Sequence, residues 1–263
     1  IMKYPIGIQD FESIINDGYV YVDKTALIYR LVTEGKIYFL SRPRRFGKSL
    51  LVSTLKAYYQ GKKELFKGLA IDSLEKEWAQ HPVFHIDFNG GNFTQPGVLE
   101  KVIEKFLLDQ EKIYGRNPNS QEIGSRFKDI LKSAHEKTGR RAVVLIDEYD
   151  KPLLQSLHDE ELLEAYRRTL KAFYGVLKSA DKYLRFVFLT GVTKFSQVSV
   201  FSDLNQLNDI SMDYDSGTLC GITHEELVNN FSPEIEALAK VNGLTKDRLV
   251  VSQVLMVYHS SYI

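Results

Sequence analysis

One cysteine, Cys220, is all the chain holds for thiol chemistry. Neither an internal disulfide nor a cysteine-based zinc site can form, which suits a reducing compartment. Charge of one sign is also missing: 34 Lys plus Arg stand against 34 Asp plus Glu. No overall field therefore draws the chain to nucleic acid or to an anionic membrane, and any polyanion contact must be local. No apolar run approaches the roughly 18 residues that a membrane span needs, and no secretory apolar segment stands near the start. The expectation is a cytoplasmic protein without a membrane partner. Internal repeats and low-complexity tracts are lacking too, which removes solenoids and disordered arrays from consideration.

What is present is ordinary for a folded protein: 263 residues, 44% of them hydrophobic and 26% charged. That length buries a sizeable core and fits one large α/β domain with a small helical appendage.

The stretch around which the chain is organised is Ser41-Arg42-Pro43-Arg44-Arg45-Phe46-Gly47-Lys48-Ser49. It follows the apolar run Ile37-Tyr38-Phe39-Leu40 and opens a helically periodic segment over 50–59, so it reads as strand, phosphate loop, helix. The Walker A pattern G-x-x-x-x-G-K-[ST] is met by Gly47, Lys48 and Ser49, with Arg42 where the first glycine usually stands. Gly47 lets the backbone approach a phosphate, and the amides opening the helix point at it. Lys48 is placed to reach the β and γ phosphates, and Ser49 to ligate magnesium. The bland alternative is a glycine-lysine-serine triplet opening a basic helix by chance.

A second stretch favours the sharper reading. Ala142-Val143-Val144-Leu145-Ile146 ends in Asp147-Glu148-Tyr149-Asp150. A short unbroken apolar run is what a strand buried on both faces of a parallel sheet looks like. Acids at its carboxyl end, a Walker B arrangement, fall where open α/β sheets bind ligands, so Asp147 and Lys48 can converge. Asp147 would hold magnesium through water and Glu148 would take a proton from attacking water. The competing reading is an acidic surface turn.

The remainder alternates strand and helix. Ahead of the loop, residues 3–25 mix aromatic, glycine and polar groups, and Pro5 and Ile6 there are candidates to cover a nucleotide base. Thr25 is read as the cap of a helix over 26–34. Residues 82–88 alternate as a strand, and their His85 and Asp87 supply too few ligands for a metal site and read instead as a satisfied polar pair or a strand-end contact. Helices follow over 98–114 and around 127–134, and another over 162–177. Residues 184–194 form a further buried strand with a polar end, where Thr190 or Thr193 would sense the γ phosphate, position water or merely cap a turn at 195–198. Residues 201–212 read as loop, and 216–222 as a short fifth strand. Thr223 and Glu226 form a capping box for a helix, and helix resumes beyond Pro233 to about residue 241. Alternation of this kind predicts a mainly parallel sheet with helices on both faces. The expected organisation is an α/β domain over 1–222 with a five-stranded sheet, followed by a helical lid or linker over 223–263.

These residues, with Tyr4-Pro5-Ile6-Gly7, Tyr21-Val22-Asp23-Lys24-Thr25 and Thr190-Gly191-Val192-Thr193-Lys194-Phe195, resemble the bacterial AAA-ATPase-like proteins over roughly residues 3–240. The arginine in place of the first Walker glycine is a signature of that group. The resemblance implies a P-loop NTPase three-layer sandwich of the class with an additional catalytic glutamate, whose Asp-Glu strand lies beyond the sensor strand. It implies ATP and magnesium as cofactors and hydrolysis as the activity. The implied catalytic set is Glu148, Lys48, Thr190 and Arg45, with Arg44 an alternative to Arg45 for neutralising transition-state charge and salt bridges the plainer role for either arginine. Arg44, Phe46, Gly47, Lys48, Ser49, Leu50, Pro5 and Ile6 would bind nucleotide, and Ser49 and Asp147 the metal. A nucleotide-dependent switch and a P-loop kinase are the alternatives. Many members carry a nuclease-like domain after this module, so the partners implied are that domain or a partner protein, with nucleic acid met only indirectly. The stretch 247–262 departs from the family's lid, and the expectation is a truncated chain or an altered tail.

Overall fold

The computed structural model describes residues 3–194, 200–201 and 207–245. The turn expected at 195–198 and the departing tail lie outside the described residues. Two compact units divide the chain, Ile1–Cys220 and Gly221–Ile263.

The first unit is built on five strands: β1 (Ile37–Ser41), β2 (Val83–Asp87), β3 (Ala142–Asp147), β4 (Leu184–Gly191) and β5 (Asn208–Asp209). They lie in the order β2-β3-β4-β1-β5, all parallel. The strand leading into the phosphate loop and the strand carrying Asp147 are thus separated by β4, as the resemblance implies. The helices that matter for the site are α1 (Phe11–Asn16), α2 (Thr25–Glu34) and α3 (Lys48–Tyr59). After a short α4 (Ala70–Leu74) come α5 (Val98–Tyr114), α6 (Ile123–Thr138), α7 (Lys151–Gln155) and α8 (Glu160–Ser179).

Successive side chains of a strand face opposite ways, and both faces of this sheet are covered. Val144 and Ile146 join Phe39, Leu189 and the apolar stripes of α5, α6 and α8 in one core. Val143 and Leu145 join Leu40, Phe186, Phe188 and the inner faces of α2 and α3 in the other. Every residue of β3 is buried, which is why its sequence shows no alternation. The result is a three-layer α/β sandwich.

Two local expectations need correction. The fifth strand is Asn208–Asp209, paired with Tyr38 and Phe39 of β1, within the stretch read as loop. Residues 216–222 instead turn back on themselves, with Leu219 N–H donating to the Ser216 carbonyl at 3.1 Å; Leu219 and Cys220 are apolar because they pack under α2 and α3. Thr25 is the first residue of α2 and not its cap, and its backbone N–H and hydroxyl both donate to Asp23 Oδ1, at 2.8 and 2.6 Å. Of the two readings for His85 and Asp87, the strand-end contact is the one present: Asp87 accepts from Asn89 N–H at 2.8 Å, while among the described residues His85 Nε2 is buried without a partner.

The second unit holds helices His224–Asn230 and Ser232–Val241. The capping box is present, with Thr223 accepting from Glu226 N–H at 3.1 Å and Glu226 from Thr223 N–H at 2.8 Å.

Candidate functional site

The loop between β1 and α3 begins with Arg42, which is a strut. Its backbone N–H donates to the Gly191 carbonyl at 3.1 Å, and its guanidinium donates to the carbonyls of Ser41 at 2.9 Å and Ser211 at 2.7 Å. Ser211 follows β5 and is itself tied to β1, its hydroxyl accepting from Ser41 N–H at 2.9 Å. The residue at the first Walker glycine therefore joins three strand ends. Beyond it, Arg45 and Gly47 adopt left-handed backbone, φ +63° and +89°. Left-handed residues at alternate positions curl a chain into a concave nest of amides. Among the described residues no acceptor meets the N–H groups of Gly47, Lys48, Ser49 or Leu50. They stand at the positive end of the α3 dipole, which suits an anion. Arg44, Arg45 and Phe46 are exposed along this loop, and Ser49 and Leu50 are half-buried in the first turn.

Strand alternation sends Asp147 to the α3 side, after Val143 and Leu145, and does the same for Thr190 in β4 after Phe186 and Phe188. The two meet: Thr190 Oγ1 donates to Asp147 Oδ1 at 2.5 Å. Thr193, the other candidate, turns its hydroxyl to Asp150 at 2.9 Å. Glu148 leaves the strand with left-handed backbone, φ +54°, a conformation that costs a non-glycine residue on the order of 1 kcal/mol. That turn brings its Oε1 to 3.0 Å from Lys48 Nζ. Lys48 also donates to the carbonyls of Arg42 at 3.1 Å and Pro43 at 3.2 Å, so the three protons of its ammonium have three acceptors. Its side chain is 3% exposed and that of Glu148 11%. Burial pushes the Glu148 carboxyl above the ordinary glutamate value; the hydrogen bond and charge of Lys48 oppose this, and Asp147 and Asp150 add to it.

Two further residues shape the site and were not singled out from the sequence. Asp150 is fully buried and accepts from the N–H groups of Val192 at 3.1 Å and Thr193 at 2.8 Å. Tyr149 donates its N–H to the Thr190 carbonyl and its hydroxyl to the Thr193 carbonyl, both at 2.9 Å. A Cβ on Gly191 would stand 2.4 Å from the Tyr149 ring, so only glycine fits there. Together these contacts clamp the end of β4 to the end of β3 and fix the backbone on both sides of Glu148. The signal was the string Asp147-Glu148-Tyr149-Asp150 opposite Thr190-Gly191-Val192-Thr193, but neither string states its partner.

Pro5 and Ile6 form a local turn, Ile6 N–H donating to the Tyr4 carbonyl at 2.9 Å and Ile8 N–H to the Pro5 carbonyl at 3.3 Å. Ile6 is 90% exposed, and among the described residues no hydrogen bond joins either to the loop. The arm they belong to is nonetheless tied to the loop helix, Phe11 N–H donating to Ser53 Oγ of α3 at 2.9 Å.

The donor set fits a magnesium-bound polyphosphate. The nest offers unpaired amides, Lys48 an ammonium, and two oxygens for a cation are uncommitted: among the described residues neither the Ser49 hydroxyl nor Asp147 Oδ2 has a hydrogen-bond partner.

Comparison with known proteins agrees with this geometry. The family model described as "Predicted AAA-ATPase" matches residues 5–201. The chain is 43% identical over 238 residues to an "Uncharacterized protein in vnfD 5'region" of Azotobacter chroococcum mcd 1. That alignment covers 90% of this chain and 46% of the relative, so the chain spans about half the relative's length. No solved structure matches.

Proposed function

Because the chain belongs to the AAA-ATPase-like family, we propose that its loop at residues 42–50 binds ATP with magnesium and that the site hydrolyses it for an effector, in the same polypeptide or on a partner. The observation that carries this reading is the 3.0 Å approach of Lys48 to Glu148, two residues a hundred positions apart in sequence, beside a nest of unpaired amides.

In this reading the amides of residues 47–50 hold phosphate oxygens and Lys48 exchanges its present acceptors for them. Ser49 would hold magnesium directly and Asp147 through water, Thr190 keeping the Asp147 carboxylate oriented. Magnesium supplies neutralisation of charge on the phosphates. Glu148, once Lys48 turns to phosphate, is left with an oxygen free to orient water and accept its proton. Thr190 is therefore a positioning residue acting through Asp147. Arg44 and Arg45 are exposed on the loop, where either can neutralise charge on a transferring phosphoryl group. The test is equilibrium binding of ATP with magnesium to the wild type and Lys48→Ala; equal affinities would remove the loop from the binding site.

One observation favours a second reading, a nucleotide-dependent switch with negligible hydrolysis: Glu148 is engaged by Lys48 rather than free. Single-turnover phosphate release separates the two, because a switch retains bound ATP and releases almost no phosphate.

A further inference from the structure

At the opposite pole of the sheet, where the strands begin, lies a cleft of about 500 Å³. Its charged lining comes from the segments that enter three strands. His81 stands two residues before β2, Arg140 and Arg141 immediately before β3, and Lys182 and Arg185 at the entry to β4. Among the described residues none of these four Arg and Lys side chains forms an ion pair with a carboxylate, although Arg185 gives one N–H of its guanidinium to the Val32 carbonyl at 3.3 Å and keeps the others for a ligand. Elsewhere in this unit cations do find acids, as half-buried Lys36 does with Asp181 at 2.7 Å.

Two carboxylates also border the cleft. Glu75 is already engaged, accepting from the Tyr58 hydroxyl at 2.5 Å and from the N–H groups of Lys76 and Glu77 at 2.8 Å each. Glu77 lies on the exposed rim. Four permanent cations thus face two acids, one of them spent on local hydrogen bonds.

His81, in the same lining, donates from Nδ1 to the Arg141 carbonyl at 2.8 Å. Burial holds its ring below the ordinary histidine value; the hydrogen bond to Arg141 opposes this, and the charges of Arg185, Arg140 and Arg141 add to it. Cations gathered without partner acids favour a bound anion.

We propose that this cleft is a binding site for a phosphate group, carried either by a small phosphorylated molecule or by a nucleic-acid backbone, with Arg140, Arg141 and Arg185 as its principal donors. Arginine forks match phosphate oxygens in bidentate geometry, and the volume is that of a small-molecule site. The site lies at the amino ends of the strands, whereas the loop at residues 42–50 lies at their carboxyl ends, so this inference does not rest on the proposed ATPase function.

The chain carries its own reporter. Trp78, the single tryptophan, sits between the lining residues Glu77 and Ala79, its ring 5.8 Å from that of Tyr58. Tryptophan emission of the full chain is titrated with inorganic phosphate, with a 12-nucleotide single strand, and with sodium chloride at matched ionic strength. Lys48→Ala disables the loop, and the variant Arg140→Ala with Arg141→Ala removes two exposed side chains that carry no packing. The expected result is a saturable change with phosphate or the strand, retained in Lys48→Ala and weakened about ten-fold or more in the double variant, a loss of about 1.4 kcal/mol or more. A tighter response to the strand assigns the phosphate to a nucleic acid, and an equal or tighter response to inorganic phosphate assigns it to a small molecule. The proposal is overturned if sodium chloride gives the same response, if the change disappears with Lys48→Ala, or if the double variant binds as the wild type does.

Discussion

Lys48 Nζ and Glu148 Oε1, both largely buried, lie 3.0 Å apart, one at the start of α3 and the other just past the end of β3. Breaking one half of a buried pair leaves the other charge uncompensated, and that asymmetry makes the two residues separable by mutation. Lys48→Ala is expected to weaken ATP binding by roughly 10-fold or more, the worth of a hydrogen bond to a charged group. Glu148→Gln keeps the shape and most of the hydrogen bonding. It should retain ATP while lowering turnover by about 10²-fold or more, the usual contribution of a general base. Titration with ATP and steady-state phosphate release check the pair.

The pH dependence of turnover follows from the environment of Glu148. Its carboxyl is held above the ordinary glutamate value by burial, and only the ionised form accepts a proton. Activity should fall as pH drops through that raised value, giving an acid limb above the range of about 4.3 for a free glutamate. The same shift has a stability consequence. The folded state keeps this proton to a higher pH than the unfolded state does, so the contribution of Glu148 is fully present below the unfolded value and is lost as pH rises through the folded one. A pH–rate profile with its acid limb in the ordinary range would contradict the assignment.

Arg42 replaces a glycine in the motif yet holds the loop by two carbonyls, on Ser41 and Ser211. Arg42→Gly, which restores the Walker pattern, should weaken nucleotide binding several-fold and lower stability by about 1–3 kcal/mol through the lost charge-assisted bonds. Chemical denaturation and ATP titration of the same variant measure both. Tighter binding by the glycine variant would remove the strut from the account.

Gly191 has no room for a side chain, since a Cβ would meet the Tyr149 ring at 2.4 Å. Gly191→Ala should cost about 1–3 kcal/mol by overpacking and lower turnover by displacing the backbone around Glu148. Tyr149→Phe, which loses only the bond to the Thr193 carbonyl, should cost about 1 kcal/mol. Unfolding midpoints in denaturant compare them.

Far from the site, Arg126 of α6 donates to both carboxylate oxygens of Glu111 in α5, at 2.8 and 2.9 Å, and to Glu104 at 2.5 Å. The hydrogen bonds from Arg126 hold the Glu111 carboxyl below its ordinary value. Its stabilising contribution is therefore present above the unfolded value and lost as pH falls through the folded one. Glu111→Gln should be less stable than wild type at neutral pH, and the difference should close on acidification, as followed by thermal unfolding at several pH values.

Much of this was legible in the sequence, for identifiable reasons. The unbroken apolar run of β3 announced a strand buried on both faces, and its terminal acids could only lie at a carboxyl edge. Gly47, Lys48 and Ser49 announced the loop because their chemistry is local. β5 escaped because two residues, Asn208 and Asp209, carry no apolar period at all, and the strand exists only through pairing with Tyr38 and Phe39. The clamp of Tyr149 and Asp150 onto residues 190–193 escaped because it is a contact between chain segments forty residues apart. The basic cleft escaped for the same reason: Arg140, Arg141, Lys182 and Arg185 are unremarkable singly and gather only because β3 and β4 are neighbours.

The most direct test is a single-turnover experiment on purified protein with labelled ATP and magnesium, run beside Lys48→Ala and Glu148→Gln. The account predicts bound ATP and released phosphate for the wild type, bound ATP without release for Glu148→Gln, and little bound ATP for Lys48→Ala. Phosphate release at the same rate from wild type and Glu148→Gln, with ATP bound equally by all three, would contradict it.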